Sequence, residues 1–268
     1  MKKLSLRLLF LALVAACVFS ASANAQAQGG ATGRGNAPAG NAPPANAGAG
    51  RGRGGPIVGP PHDPHDLDGV WNNRTFAAGG SFTPAPKLTA LGQDLFKKAK
   101  SSNSGEYDLK TTNDPVITRC FPPGTPRIYL QPFPWQIVQT PKEVWFIYEY
   151  DHTVRHIFMD RKHPDDPLVT YMGDSVGSWD GDTFVVDTVG LNDTTWLDRA
   201  GHGHSDQLHV VERFHRVNQN DLELDIRMED PKALTEPWTT HMQFELKPNW
   251  TISEQNCADN ADFVSFEK

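Results

Sequence analysis

Titratable side chains are concentrated between Ser175 and Arg216 of this 268-residue chain. Two runs of β-forming residues flank a polar loop there, and the loop and its borders hold four of the ten histidines. The same stretch contains carboxylates able to accept, donate or orient protons, namely Asp187, Asp193, Asp198, Asp206 and Glu212. This density is unusual for a connection between strands and predicts a functional site.

The polar loop contains two histidines that could carry protons, His202 and His204. Asp206 follows them closely enough to orient either ring. A His-Gly-His metal site is the alternative, although metal ligands usually come from firmer elements. A triad through Ser205 is a weaker alternative, because the sequence has no nucleophile elbow.

The strand after the loop carries further charged groups on two faces. Period-two alternation places His209 and Arg213 together on one face and Glu212 on the other. Glu212 shares its face with Val210 and Phe214, so we expect it to be buried with a partner such as an arginine.

A second cluster lies between Glu149 and His156. Alternation places Tyr150, His152 and His156 on one face and Arg155 on the other. Two histidines spaced in this way can share a metal ion, and a histidine beside carboxylates can act as a general base. The alternative is a hairpin corner whose charged side chains face water.

Asp187 stands within a valine-rich run, FVVDTVG. It faces either solvent or a barrel interior, where desolvation would raise its pKa and suit it to proton transfer. Asp193 and Asp198 are better explained as turn caps. Trp196, between them, offers a ring surface for substrate binding.

The chain from residue 62 onward is predicted to be mainly β. One helix is expected at 89–100, and the proline-rich segment 107–134 is expected to be an ordered loop. A first strand is predicted at 69–71, and further strands at 135–139, 143–150, 152–159, 175–179, 183–189, 208–217, 222–228, 240–246 and 251–253.

Short consecutive strands joined by short turns predict an antiparallel meander, either closed as a lipocalin-like barrel or stacked as a sandwich. Asp180-Gly181 and residues 218–221 have the composition of tight hairpin turns. We favour the barrel, because closure removes sheet edges and provides an interior for a ligand.

The N-terminal 61 residues are predicted to lie outside the folded domain. Residues 1–25 have the pattern of a secretory signal that is cleaved after Ala25. A lipoprotein box around Cys17 is the alternative, in which a lipid would anchor the protein to a membrane. Residues 26–61 are almost entirely small or polar and are expected to be a disordered linker, which leaves 62–268 as one domain.

Charge and cysteine usage restrict the partners and the compartment. Without the six cations of residues 1–61, the formal net charge falls from −7 to −13, which argues against a nucleic-acid partner and an anionic membrane surface. No later segment has the length of a transmembrane span. Cys120 and Cys257 remain in the domain and are expected to form a disulfide in an oxidising compartment.

Several longer motifs carry a resemblance to a known family. They are WDGDTFVVDTVGLNDTTWLDRAGHGHSDQLHVVERF, CFPPGTPR, PFPWQIVQTPKEVWFIYEYDHTVRHIFMD and MEDPKALTEPW. Together they resemble an uncharacterised family of exported bacterial proteins that is frequent in soil and environmental species. The resemblance extends from Gly69 to Cys257 and implies an exported single-domain protein, without implying an activity.

These residues predict an exported acid–base enzyme, a hydrolase or lyase that acts on a small polar organic substrate such as a sugar derivative. The expected catalytic residues are His152, His156, Asp187, His204, Asp206 and Glu212. The expected substrate-binding residues are Tyr150, Arg155, Trp196, His202, His209 and Arg213.

We expect no cofactor, with a divalent metal at the histidines as the alternative, and a periplasmic or secreted location, with an outer-membrane lipoprotein as the alternative. A lipocalin-like binding protein and a structural envelope protein are the competing functions. The enzyme hypothesis further predicts that His152 or His156 lies near His204, Asp206 or Glu212 around one cavity.

Overall fold

The computed structural model describes residues 62–74 and 80–257. Nine strands within these ranges hydrogen-bond in sequence order, and the last strand pairs with the first to close a barrel. The predicted mainly β barrel is therefore confirmed over the sandwich alternative. The strands are β1 Gly69–Asn73, β2 Trp135–Gln139, β3 Glu143–Tyr148, β4 Val154–Phe158, β5 Asp174–Asp180, β6 Thr183–Val189, β7 His209–Arg216, β8 Asp221–Glu229 and β9 Trp238–Leu246.

One predicted strand is wrong. Residues 251–253 form no ladder, and the nearby Gln255 makes only an isolated bridge with Tyr150. The physical reason is closure of the sheet, because β9 already pairs with β1 and leaves no free edge for a further strand.

One strand pair departs from the antiparallel meander. β4 and β5 run parallel and share only two residue pairs, Ile157 with Ser175 and Phe158 with Val176. A parallel pair requires a crossover connection, which here is the segment 159–173, and this crossover contains no helix or strand. Residues 154–156 therefore have no ladder partner on the β5 side, and we call this gap the seam.

The barrel interior is packed with apolar side chains, in contrast to the ligand-holding interior expected from the sequence. The alternation predicted for β8 is confirmed, since Leu222 and Leu224 are fully buried. A 3-10 helix, Arg127–Leu130, inserts Tyr129 into one end of this core. The ring of Tyr129 makes edge contacts with Trp135, Tyr148, Phe214 and Phe244.

The predicted helix is present as α1, Ala90–Lys98. Thr89 is its N-cap, accepting a hydrogen bond from the Gly92 backbone N–H at 3.2 Å. Gly92 is needed here because a β-carbon at this position would lie 2.2 Å from the carbonyl oxygen of Ala233. The helix thus packs closely on the segment between β8 and β9.

The segment 107–134 contains more regular structure than the predicted loop. It includes α2, Pro115–Arg119, whose N-cap Asp114 also forms a buried ion pair with Arg127. Proline at the first turn is compatible with a helix, so the proline content of this segment did not exclude one. The disulfide between Cys120 and Cys257 is present as predicted and ties the end of α2 to the last described residue.

The predicted signal segment and linker, residues 1–61, lie outside the described residues, as do any lipid anchor at Cys17 and the C-terminal residues 258–268. In the part of the chain that is described, no helix combines the length and the hydropathy needed to cross a membrane.

Candidate functional site

The seam opens into a cavity of about 520 Å³, which we call the seam cleft. One wall is formed by the turn before β4 and by β4 itself, and the other by the end of the crossover and the start of β5. Residues from both walls line it: Asp151, His152, Thr153, Val154, Arg155, His156, Phe158, Thr170, Tyr171, Met172, Gly173, Asp174 and Ser175, together with Pro122. The cleft exists because the parallel pair covers only the far end of β4.

Two of the predicted catalytic histidines lie on the β4 wall. His152 is exposed and, like Asp151, has a positive φ of 50°, a rare conformation for residues other than glycine. The ring of His156 stacks on Trp145 at 3.9 Å and contacts Phe158 at 3.8 Å. Its Nε2 lies 3.4 Å from Glu143 but makes no hydrogen bond with it.

Arg155 lies behind the cleft and points into the barrel, where it forms a buried ion pair with Glu212. Its remaining hydrogen bonds go to Ser175 (3.0 Å), to the hydroxyl of Tyr129 (3.0 Å) and to Thr188 (2.7 Å). Burial raises the pKa of Tyr129 well above its ordinary value, so the phenol stays protonated. The burial of Glu212 with an arginine therefore agrees with the sequence analysis.

Outside the barrel, imidazoles and carboxylates alternate across four strands. His163, on the crossover, lies 2.7 Å from Asp174 through Nδ1 and 2.9 Å from Asp187 through Nε2. His209 lies 3.0 Å from Asp187 through Nε2 and 3.3 Å from Glu229 through Nδ1. We call these five residues the histidine–carboxylate chain. Arg161 and Arg227 pair with its two ends, Asp174 and Glu229 respectively.

Both ring nitrogens of each histidine in the histidine–carboxylate chain lie within hydrogen-bond distance of a carboxylate oxygen. An imidazole donates from both nitrogens only when it is protonated. The hydrogen bond with Asp187 raises the pKa of His209, with burial opposing it. The hydrogen bond with His209 lowers the pKa of Asp187. His209 can therefore keep its proton at pH values where an isolated histidine would lose it.

Asp187 thus faces the outside of the barrel, which was one of the two orientations left open by the sequence. Asp174 belongs both to the chain and to the lining of the seam cleft. The histidine–carboxylate chain therefore begins at the cleft wall opposite His152 and His156.

The histidines of the loop between β6 and β7 have structural environments. Nδ1 of His202 donates to the fully buried Asp198 carboxylate at 2.8 Å, and the ring stacks on Phe96 of α1. His204 is buried 2.8 Å from the Thr195 hydroxyl, and burial lowers its pKa. Asp198 also accepts hydrogen bonds from three backbone N–H groups, as expected for a turn cap.

The remaining predicted site residues are dispersed. Asp206 and Arg213 form exposed ion pairs with Lys232 and Asp180 respectively. Tyr150 packs on Phe133, and burial raises its pKa to about 12. Trp196 packs beneath the Arg127 guanidinium at 5.5 Å.

The predicted common cavity is not formed by the residues named for it. The lining of the seam cleft contains His152 and His156 but not His204, Asp206 or Glu212. The physical reason is strand alternation: His156 points outward while Arg155, its neighbour, points inward to Glu212. Within the described residues, the two predicted clusters meet through Arg155, which contacts Glu212, Ser175 and Thr188.

Two residues of the candidate site were missed by sequence reasoning, His163 and Asp174. Both lie in or next to the irregular crossover, where neither periodicity nor turn propensity indicates a direction for a side chain. The available signal was composition alone, since RKHPDDP places a histidine among charges in a segment too long for a hairpin turn.

Among residues 62–74 and 80–257, no group of three or more histidine, cysteine, aspartate and glutamate side chains is arranged to hold a metal ion. No protein-family model, curated protein or solved structure matches this chain.

Proposed function

We propose that the protein is an exported acid–base enzyme, a hydrolase or lyase, that acts on a small polar organic substrate such as a sugar derivative in the seam cleft. One observation carries the proposal: two histidines on one wall of the cleft face a wall that bears Asp174, the first member of the histidine–carboxylate chain. A volume of about 520 Å³ lies within the range of small-ligand sites.

Acid–base catalysis requires one group that takes a proton and another that supplies one. His156 is the proposed base. Glu143 lies 3.4 Å from its Nε2, so Nδ1 is the ring nitrogen that we assign to the substrate. His152, at the exposed rim, is the second proton carrier, and the histidine–carboxylate chain begins beside the cleft at Asp174.

Arg155 and Glu212 have a positioning role in this proposal. All five N–H groups of Arg155 are engaged with protein oxygens, so none remains for a substrate. The pair instead holds β4 against Ser175 at the base of the cleft. This assignment differs from the expectation that Arg155 binds substrate and that Glu212 is catalytic.

Export to the periplasm or the exterior is part of the same proposal, with lipidation at Cys17 as the alternative form. The Cys120–Cys257 disulfide supports an oxidising compartment, and the signal-like composition of residues 1–25 supports secretion. No cofactor is required by the proposed chemistry. The acidic composition of the domain supports a small molecule over a nucleic acid as partner.

The test is a turnover screen of the purified protein against pooled sugar derivatives and aromatic esters, with and without a chelator. We expect at least one pool to be converted. The variant His156→Gln should then lower kcat by about 100-fold or more, the usual contribution of a general base, with loss of one limb of the pH profile. Asp174→Asn should shift the pH profile of kcat, because it removes the carboxylate with which the histidine–carboxylate chain begins at the cleft.

His215→Gln is the matched control, because His215 is an exposed barrel histidine that does not line the cleft. Equal activity of the His156→Gln and His215→Gln variants would contradict the assignment of the base. Binding of a pool component without conversion would favour a small-molecule binding protein. Absence of both would favour a structural envelope protein, and activity lost with the chelator would show that a metal takes part.

A further inference from the structure

A second cavity, of about 530 Å³, lies between α1, α2 and the loop after β6. We call it the helix groove. Its lining differs from that of the seam cleft in every residue: Leu95, Lys98, Ala99, Thr112, Asn113, Pro115, Thr118, Arg119, Phe121, Thr194 and Trp196. The acid–base proposal makes no use of this cavity.

The helix groove is cationic although the protein is acidic. Its lining contains Lys98 and Arg119 and no carboxylate, whereas the whole chain has a formal charge of −7. Lys98 is partly neutralised by Asp94, 2.7 Å away on the exposed face of α1. Arg119 is exposed and forms no ion pair within the described ranges. An exposed guanidinium without an ion-pair partner is available to bind a carboxylate through two parallel hydrogen bonds.

The groove also offers aromatic surface beside the cation. Trp196 and Phe121 both line it and are partly exposed. The Arg127 guanidinium stands 5.5 Å from the centre of the Trp196 ring and is itself held by buried Asp114. Flat rings of aromatic compounds and the apolar faces of sugars both pack on such side chains.

The walls of the groove are fixed to one another before any ligand binds. Asn113 donates to the Lys98 carbonyl oxygen (3.0 Å), and Thr112 donates to the Lys100 carbonyl oxygen (2.5 Å), which ties the segment before α2 to the end of α1. The disulfide at Cys120 fixes the other end of α2. A rigid groove loses little freedom on binding, so a small ligand can be held by few contacts.

We infer that the helix groove binds a small organic carboxylate that bears a ring with an apolar face, with Arg119 holding the carboxylate and Trp196 supporting the ring. Two sources share this chemistry, aromatic carboxylates and sugar acids. The groove and the seam cleft share no lining residue, although Phe121 of the groove and Pro122 of the cleft are neighbours in sequence.

The experiment is calorimetric titration of the full chain with 4-hydroxybenzoate and, separately, glucuronate. 4-Hydroxybenzyl alcohol and glucose are the matched uncharged probes. We expect one of the two anions to bind in the millimolar range or tighter, and its uncharged counterpart to bind at least about tenfold more weakly, because the charge-assisted pair is lost. The anion that binds shows whether the ligand class is the aromatic carboxylates or the sugar acids.

Arg119→Gln should weaken binding of that anion by about tenfold or more. Trp196→Leu should also weaken binding, because it removes the indole on which the ring of the ligand packs. Arg213→Gln is the control, since it removes an exposed arginine that does not line the groove. Failure of both anions to bind, or equal binding by the Arg119→Gln and Arg213→Gln variants, would overturn the inference. Binding that survives His156→Gln would separate this site from the proposed active site.

Discussion

The Arg155–Glu212 pair is an ion pair with no exposed surface on either side chain. Removing two charges from water is costly, and the cost is offset here by Ser175, Tyr129 and Thr188, which satisfy the remaining donors of the arginine. The pair therefore depends on all its partners, and the removal of one charge leaves the other buried without compensation.

We predict that Glu212→Gln lowers the free energy of unfolding by about 3–5 kcal/mol, the usual effect of breaking a buried pair. The double variant Arg155→Met/Glu212→Leu should cost less than the single change, since no charge remains in the core. Urea denaturation of the three proteins measures both effects. A Glu212→Gln variant within about 1 kcal/mol of the parent would show that the pair contributes little.

His209 and Asp187 respond to pH in opposite directions. The pKa of His209 is raised above its ordinary value of 6.5. Its contribution to folding stability is therefore complete below pH 6.5 and is lost as the pH rises through the folded-state pKa. The pKa of Asp187 is lowered from 3.8, so its contribution is lost only in stronger acid. Their interaction is therefore strongest in mildly acidic solution.

We predict that His209→Gln lowers the melting temperature more near pH 5.5 than near pH 8.5, because the imidazolium is present only at the lower value. The free-energy difference should stay below about 1 kcal/mol, since both side chains are about one-third or more exposed. His215→Gln, on the same face of β7, should show no such dependence. A difference in melting temperature between the parent and His209→Gln that did not change with pH would contradict the proposed charge state.

Sequence patterns predicted the residue-level environment only where a strand imposed it. Glu212 could be predicted as a buried, paired acid because it stands between Val210 and Phe214 on an apolar face. The position of His163 could not, because its partners Asp174 and Asp187 are brought to it by a crossover whose path has no periodic pattern. Local alternation determines the face of a side chain, but not the partner that tertiary structure supplies.

At the scale of elements, the crossover 159–173 is the feature that creates the candidate site. It leaves the start of β4 without a ladder partner on the β5 side, which opens the seam cleft, and it delivers His163 to the outer surface of β5 and β6. The described contacts that hold it there include the ion pair between Arg161 and Asp174 and the two contacts of His163.

We predict that His163→Ala accelerates trypsin cleavage after Arg161 and Lys162 several-fold, since local opening of the crossover loses two of its attachments. Timed digestion followed by mass spectrometry of the fragments measures the rate at each bond. His241→Ala is the control, because His241 on β9 pairs with exposed Asp225 on β8 and does not touch the crossover in the contacts of the described residues. Equal cleavage rates in the two variants would show that His163 does not hold the crossover.

Individual strands were more predictable than their pairing. Runs of β-forming residues and turn signals locate each barrel strand because these preferences are local. The direction of β5 relative to β4 is not a local property, since it depends on whether segment 159–173 returns along the barrel or turns back at once. The prolines and aspartates of that segment are compatible with both paths.

At the scale of the whole molecule, closure of the barrel explains both a success and an error. A closed barrel was predictable from consecutive short strands, because an open sheet of this composition would expose two edges. The same prediction placed a ligand inside, whereas Trp135, Phe146 and Phe214 fill the interior. Strand number alone does not determine whether a barrel is hollow, because the space depends on the sizes of the inward side chains.

The final prediction concerns the division of the chain between domain and linker. Deletion of residues 26–61 should change the melting temperature of the domain by less than about 5 °C, because a segment of glycine, alanine, proline and asparagine has few side chains large enough to pack on it. Scanning calorimetry of mature proteins with and without the segment measures the change. A larger fall would show that the segment contributes contacts to the domain, and the boundary at residue 62 would have to move towards the N-terminus.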